Sequence, residues 1–481
     1  MITSEEIRLA RESLGFTMEA GADAVRITLT KSTEDIVATL DGAVDRVTRC
    51  ADRSMNIALF ADGRFGTFSI NKLDEATLKD FILKAIETVR MLAPDGFRKL
   101  PEAARCCKTA VNGKEMGIYD DAWSGITPDD RLRMALDAAV TCHPEQPLCH
   151  PEHPLCHPER PICHPERPIC HPERPICHPE RSEGPRLISE EGEYSDSEYD
   201  TYVIDSQGLE CRHCETSFDY GVEVTVQDSK GAKYSDYWWT ASPFLKDFDA
   251  SSCGRIACER AFGQVGAKPA RSGKYRMVVS TEAASKLVTP LLNALNAYSI
   301  QQGNSFLAGT LGQKLFCDGL SILDEPGRVG ESGSKLFDGE GVACFDEPVI
   351  EGGVIKRYSV NSYMAGKMQI DPTVEDVIRA RVAPWPYPGL DRDKLMGICG
   401  NGILVTDFNG GNCNMTTGDF SYGISGQLFK NGKCVRPVNE MLITGNFLQL
   451  WKNLLAAGDD YRKCSTRLVP SLAFEGVDFS G

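Results

Sequence analysis

Between residues 142 and 181 the chain repeats a heptad too rich in proline to enter a packed element. Copies begin at Cys142, Cys149, Cys156, Cys163, Cys170 and Cys177, and three in a row read Cys-His-Pro-Glu-Arg-Pro-Ile. Proline removes a backbone donor and clashes with the preceding helical turn, so two per heptad rule out helix. Too few apolar residues remain for a core, and the composition predicts extended polyproline-like or disordered chain over an insert at 142–190. Six Cys-His pairs could gather zinc on a flexible chain. Near-identical copying favours the other reading, in-frame duplication of a short DNA element. Such an insertion is tolerable because loop-closure entropy grows only logarithmically with length. The acidic tract 190–200 is expected to come before regular structure resumes.

Periodicity organises the rest. An amphipathic helix is expected over 3–20 with Ser4 as cap, then a strand in which Val25, Ile27 and Leu29 alternate with polar residues. A hairpin over 56–70 turns at Asp62-Gly63, and a helix over 74–93 carries Leu78, Ile82, Ala85, Ile86 and Val89. Thr127 caps a helix with Pro128 at its first position and Asp130 completing an acidic capping box. Strands are expected over 202–205, 222–226 and 274–280, helices over 281–300 and 446–457, with Gly- and Asn-rich turns between.

Several function classes are excluded or weakened. The formal net charge of −16 leaves no basic surface for phosphates, arguing against nucleic acid. No basic n-region with an apolar run opens the chain, and no apolar segment reaches the roughly 18–20 residues that span a bilayer, so a cytoplasmic location is expected. Thirteen of the 19 cysteines lie outside the repeat, scattered as expected of free thiols. Cys211-Arg-His-Cys214 has redox and zinc spacing but lacks a second pair, and reads as incidental. Gly397 to Gly402 imitates a nucleotide loop without its lysine or helix, and reads as a tight turn. His213 is the only histidine outside the repeat, so a Ser-His or Cys-His nucleophile is poorly supplied.

One set of motifs carries more. Gly400-Asn-Gly-Ile-Leu-Val-Thr-Asp407, Thr417-Gly-Asp-Phe-Ser421, Ser425-Gly426 and Asn431-Gly-Lys433 follow one another. Gln302-Gly-Asn-Ser-Phe-Leu307 and Phe337-Asp-Gly-Glu-Gly-Val342 precede them, and Ile443-Thr-Gly-Asn446 with Trp451 comes after. Their order and spacing resemble the TldD/PmbA family of two-subunit metalloproteases, once labelled modulators of DNA gyrase. The resemblance implies an α+β fold: an N-terminal α/β portion with an antiparallel sheet, plus a β-rich C-terminal domain that assembles in dimers. It also implies divisions at 1–112, 113–270 and 271–481. In TldD-type subunits a zinc-binding His-Glu-x-x-x-His helix follows a Leu-Leu pair. Here the pair is Leu291-Leu292, and Asn293, Ala294 and Tyr298 stand at the metal-motif positions. The cysteine ligand of that subunit type would fall at Phe408, with Cys413 out of register. An amide is a weak zinc ligand and alanine has no acid-base chemistry.

The resemblance therefore implies no metal and no catalytic residue in this chain, with zinc in a TldD-type partner subunit. The expected role is that of a PmbA/TldE-type partner that walls a cavity and holds unfolded peptide. Asn304, Phe306, Thr417, Gly418, Asp419 and Gly426 are its candidate groove. For the loop at 417–421 plain turn chemistry is the alternative, with glycines turning the backbone and Thr417 and Asp419 satisfying its amides. Two other functions stay open: a stand-alone peptide-binding or regulatory homodimer without catalysis, and an independent hydrolase.

Overall fold

A computed structural model describes residues 1–139 and 184–481. The repeat expected to be extended or disordered lies outside the described residues. Helix α1 (Ser4–Glu19) leads into two long strands, β1 (Ala24–Leu40) and β2 (Ala43–Ala61), and a short β3 (Arg64–Ile70). Helices α2 (Glu75–Arg90) and α3 (Pro128–Ala139) follow. Then come β4 (Arg186–Asp205), β5 (Glu210–Gln227), β6 (Lys233–Ser242) and α4 (Cys253–Gly263). The six strands form one antiparallel sheet in the order β3-β2-β1-β4-β5-β6, so strands from 1–112 and 113–270 share a sheet.

Side-chain alternation places the helices. Val25, Ile27 and Leu29 are buried with Leu9, Leu78, Ile82 and Val89 under α1 and α2. Further along the same side of β1, Val37 is buried with Tyr194, Tyr220 and Val222 under α3 and α4. Each such apolar side chain contributes roughly 1.5–3 kcal/mol by leaving water. On the opposite side, Val203 and Cys211 pack with Phe337 of the C-terminal part.

Three expectations need correction in this half. Thr3, not Ser4, caps α1: its side chain accepts from the Glu6 amide while Glu6 reaches back, a complete capping box. Residues 186–190 belong to β4 and not to an insert, and the acidic tract 190–200 is strand throughout. That tract hides its nature because the cations that permit its burial are remote in sequence. Asp196 is fully buried and receives Arg131 at 2.6 and 2.8 Å and the Tyr194 hydroxyl at 3.0 Å. Asp200 receives Arg212 at 2.9 and 2.5 Å. The hairpin at Asp62-Gly63 and the Thr127/Asp130 box form as expected, the latter with reciprocal bonds of 3.1 and 3.2 Å.

The C-terminal part opens with β7 (Gly273–Val279), α5 (Thr281–Ala294) and α6 (Ala297–Gln301). A four-stranded sheet comprises β8 (Ile322–Asp324), β9 (Glu347–Glu351), β10 (Val354–Ile355) and β11 (Ala380–Val382), with α7 (Ser362–Met368) between the last two. Then come α8 (Arg392–Cys399), β12 (Gly402–Cys413), β13 (Asp419–Lys430), β14 (Lys433–Asn446), α9 (Phe447–Lys452), β15 (Leu454–Ala457) and β16 (Leu472–Ser480). These late strands order as β14-β13-β12-β7-β16-β15, and pairing of β14 with β16 closes a barrel. One face of α5 packs into the same core, with Ala284, Leu287, Val288 and Leu291 wholly buried.

The helix expected over 281–300 is broken. Asn296 lies outside both helices and caps α6, accepting from the Tyr298 amide at 2.9 Å, while its own amide donates to Asp376 at 2.7 Å. The helix expected over 446–457 ends at Lys452, because Leu454 to Ala457 pair with β16.

The buried Arg131 ties α3 to the sheet through Asp196 and, at 3.2 Å, Asp35. Arg131→Met leaves a buried carboxylate uncompensated and should cost about 3–5 kcal/mol. Denaturant unfolding of the variant should show a correspondingly earlier first transition.

Candidate functional site

Parallel pairing of Met277 with Ile403 and Val279 with Val405 puts β7 beside β12, and the chain enters α5 directly from β7. Beyond the middle of α5 and past its end lie the three positions that the resemblance aligns with a metal motif. Asn293 faces solvent, Ala294 is fully buried, and Tyr298 is 61% exposed on the separate helix α6. An exposed amide, a core methyl group and a phenol on another element do not fit a zinc site. Phe408 packs edge-on against Tyr422 at 5.7 Å, and Cys413 pairs with Phe420 across the hairpin.

The chemistry-bearing loop is the β12–β13 connection. Asn414 organises it: its side-chain oxygen accepts from the Thr416 amide at 3.0 Å, and its carbonyl accepts from the Gly418 amide at 2.7 Å. Gly418 has φ of +80°, a left-handed conformation that glycine takes without strain. A Cβ there would also lie 3.1 Å from the Phe306 ring. Thr417 donates its hydroxyl to Asp419 at 2.7 Å, and Asn446 donates at 2.9 Å to both Asp419 and the Thr417 carbonyl. These donors, Asn446 foremost, hold the Asp419 carboxyl below the usual carboxylate range. Phe306 stacks on Phe447 with ring centroids 6.1 Å apart, and the Thr416 hydroxyl reaches Asn304 at 3.4 Å.

Five of the six candidate groove residues therefore come together: Asn304, Phe306, Thr417, Gly418 and Asp419. Gly426 does not join them. It sits on β13 opposite Val405, where an added Cβ would be 1.9 Å from the Leu404 carbonyl oxygen, so strand contact alone explains the glycine. Sequence reasoning passed over Asn414 and Phe447, and took Asn446 as a motif residue and helix start without giving it a part in this loop. Asn446 carried a usable signal, an asparagine immediately before an apolar helix start, and it caps α9 through the Leu448 amide.

The other candidates are structural. Cys211 and Cys214 lie within β5 three residues apart, hence on opposite faces. Burial and the nearby Asp200, which accepts from its thiol at 3.3 Å, push Cys214 up to about 12. Such a thiol is a poor nucleophile at neutral pH. His213 is buried beside Glu215 at 3.3 Å and edge-on to Phe337. A separate cavity of about 630 Å³ lies at the α5 start, lined by Asp236, Arg260, Glu282, Thr406 and Gln427. Arg260 is already engaged by Asp236 and Glu282 at 2.9 and 2.5 Å.

Asn446→Ala should remove a helix cap and two loop donors, costing about 1–2 kcal/mol. In the same variant the Asp419 carboxyl should titrate higher than in the parent, read by carbon-detected NMR. Gly418→Ala should cost about 1–2 kcal/mol from left-handed strain alone, measured by thermal unfolding.

Comparison with known proteins agrees with this architecture. Residues 272–481 match the PmbA/TldA metallopeptidase C-terminal domain, and 177–264 match the central domain of the same family. Metalloprotease PmbA of Escherichia coli O157:H7 is 23% identical over 481 residues, covering 98% of this chain and 96% of that protein. A crystal structure from Bacteroides thetaiotaomicron, described as a candidate modulator of DNA gyrase, superposes with a TM-score of 0.87 at 34% identity. That match covers all of both chains. TldE from Thermococcus kodakarensis shares the fold, with a TM-score of 0.78 at 16% identity over 98% of this chain and all of that one. With the barrel, the loop around Gly418 and the motif order in agreement, this chain belongs to the TldD/PmbA family of peptidase-related proteins.

Proposed function

We propose that this chain is the non-metal, peptide-holding partner of a TldD-type zinc peptidase subunit, acting on unfolded peptides. The observation that carries the reading is the contrast between two neighbouring regions of the C-terminal domain. At the metal-motif positions, Asn293, Ala294 and Tyr298 offer neither imidazole nor carboxylate, and Tyr298 has moved to a separate helix. The loop beside Phe306 is meanwhile fully built, with its carboxylate, hydroxyl and glycine each held by named partners. An exposed carboxylate and a partly buried ring beside a tight turn suit an extended peptide, one end meeting polar groups and a side chain meeting the ring. The names of the relatives support the pairing, since both PmbA-type and TldD-type metalloproteases are among them. Zinc belongs to the partner in this scheme, and this chain supplies positioning and exclusion of folded proteins.

The test is reconstitution with a TldD-type subunit, using a denatured, fluorescently labelled polypeptide as substrate. Cleavage is expected from the pair and not from this chain alone, with zinc bound by the partner. Phe306→Ala in the pair should raise KM about tenfold with kcat nearly unchanged, the mark of lost ground-state binding. Cleavage by this chain alone would overturn the proposal, as would a pair no more active than the TldD-type subunit by itself.

A further inference from the structure

The cavity of about 630 Å³ at the start of α5 is separate from the loop at Gly418, and one of its walls is left unsatisfied. Ser280, Thr281 and Glu282 all line it. Ser280 is 1% exposed, and among the described residues its hydroxyl has no hydrogen-bond partner. It occupies the cap position of a 14-residue helix yet makes no cap bond. The amides of Thr281 and Glu282 find no acceptor among the described residues either. Native folds rarely leave a buried hydroxyl unpaired, and helix ends are normally capped by a side chain, water or ligand. Glu282 is the first-turn acid that could neutralise this end, but Arg260 holds its carboxylate at 2.5 Å.

The opposite sign stands beside it. Leu472 pairs with Val279, so continuing that antiparallel ladder sets Ser471 next to Ser280. Ser471 gives its amide and hydroxyl to Asp460 at 2.8 and 2.7 Å, which fixes that carboxylate in the cavity wall. Asp391 and Asp393, at the start of α8, line the same wall. Arg392 is the cation among them and lies 3.2 Å from Asp393.

We propose that this cavity binds a small zwitterion, an α-amino acid or a short peptide with both ends free. Its carboxylate is received by the Ser280 hydroxyl and the Thr281 and Glu282 amides, where the helix dipole favours an anion. Its ammonium faces Asp460 and the acids that open α8. A plain dianion fits poorly, because carboxylates outnumber guanidinium groups along the lining. Trp238, Ile256 and Leu404 supply apolar wall for a side chain. The volume falls within the range of about 300–1,000 Å³ typical of small-ligand sites. The site does not rest on the peptide-holding role of the Gly418 loop.

Isothermal titration of the full chain tests it with leucine, dileucine, N-acetyl-dileucine, dileucine amide and inorganic phosphate. Leucine or dileucine should bind saturably, and whichever binds more tightly identifies the source. Blocking either end of dileucine should weaken binding at least about tenfold, the effect of losing one charge-assisted contact. Ser280→Ala removes a hydroxyl that bonds nothing in the fold, so it should keep the parent's thermal midpoint while weakening the zwitterion at least about tenfold. The exposed Asp393→Asn covers the case in which that variant fails to fold. It should weaken free dileucine and leave the acetylated form unchanged. No saturable binding of leucine or dileucine would overturn the proposal. So would blocked forms or phosphate binding as tightly as the free zwitterion, or both variants binding at parental affinity.

Discussion

The pairing of β1 with β4, running from Arg26 opposite Asp205 to Leu40 opposite Glu191, is the contact on which the N-terminal half depends. It joins chain from before and after the proline-rich repeat in the middle of one sheet. Helices α1 to α4 rest on one side of these strands, and Phe337 and its neighbours meet the other. The pairing survives a long intervening segment because the entropic cost of closing a loop rises only slowly with its length, while the ladder gains at every residue. It also brings carboxylates into the interior. Their burial is sustainable only because Arg131 and Arg212 arrive from other elements with bidentate geometry.

The C-terminal half solves a different problem, that of holding a short polar loop rigid at the rim of a barrel. Asn446 ends β14, caps α9 and donates to Asp419 and Thr417, so one residue fixes helix, strand and loop together. The aromatic residues Phe306, Phe420 and Phe447 form the floor on which that loop sits. A loop held in this way carries a lower ordering cost for any ligand, which is what the proposed peptide-holding role needs. The same economy explains why Gly418 and Gly426, adjacent in motif terms, have unrelated causes: one needs a positive φ and the other needs the space of a missing Cβ.

Much of this was legible along the chain. Period-two alternation marked β1, the Asp62-Gly63 turn marked the β2–β3 hairpin, and the Thr127-Pro128-Asp130 cap marked α3, because each depends on neighbours within a few residues. The candidate residues Asn304 and Phe306 were grouped with Thr417 to Asp419, beside which they lie in the fold, although a long stretch of chain separates the two groups. Motif order, not local chemistry, supplied that association. The acidic strand 190–200 was missed because a run of Glu and Asp reads as solvated until its distant arginines are known. The break at Asn296 was missed because helix periodicity continues through it, while the cap bond and the link to Asp376 that interrupt it are local and tertiary respectively.

The sequence by itself determined the locally coded elements, such as β1, the β2–β3 turn and the cap of α3, and through the order of its motifs the family and the α+β class that the family implies. It also determined that Asn293, Ala294 and Tyr298 carry neither imidazole nor carboxylate. The first follow from residue identity and short-range spacing, the second from the order of motifs along the chain. Tertiary structure alone decided which acids are buried, that Tyr298 stands on a different helix from Asn293, that Gly426 lies outside the loop cluster, and that the Ser280 hydroxyl is buried without a partner among the described residues. Each of those turns on which remote segment covers a given side chain. Desolvation and pairing act between residues close in space, whatever their separation along the chain.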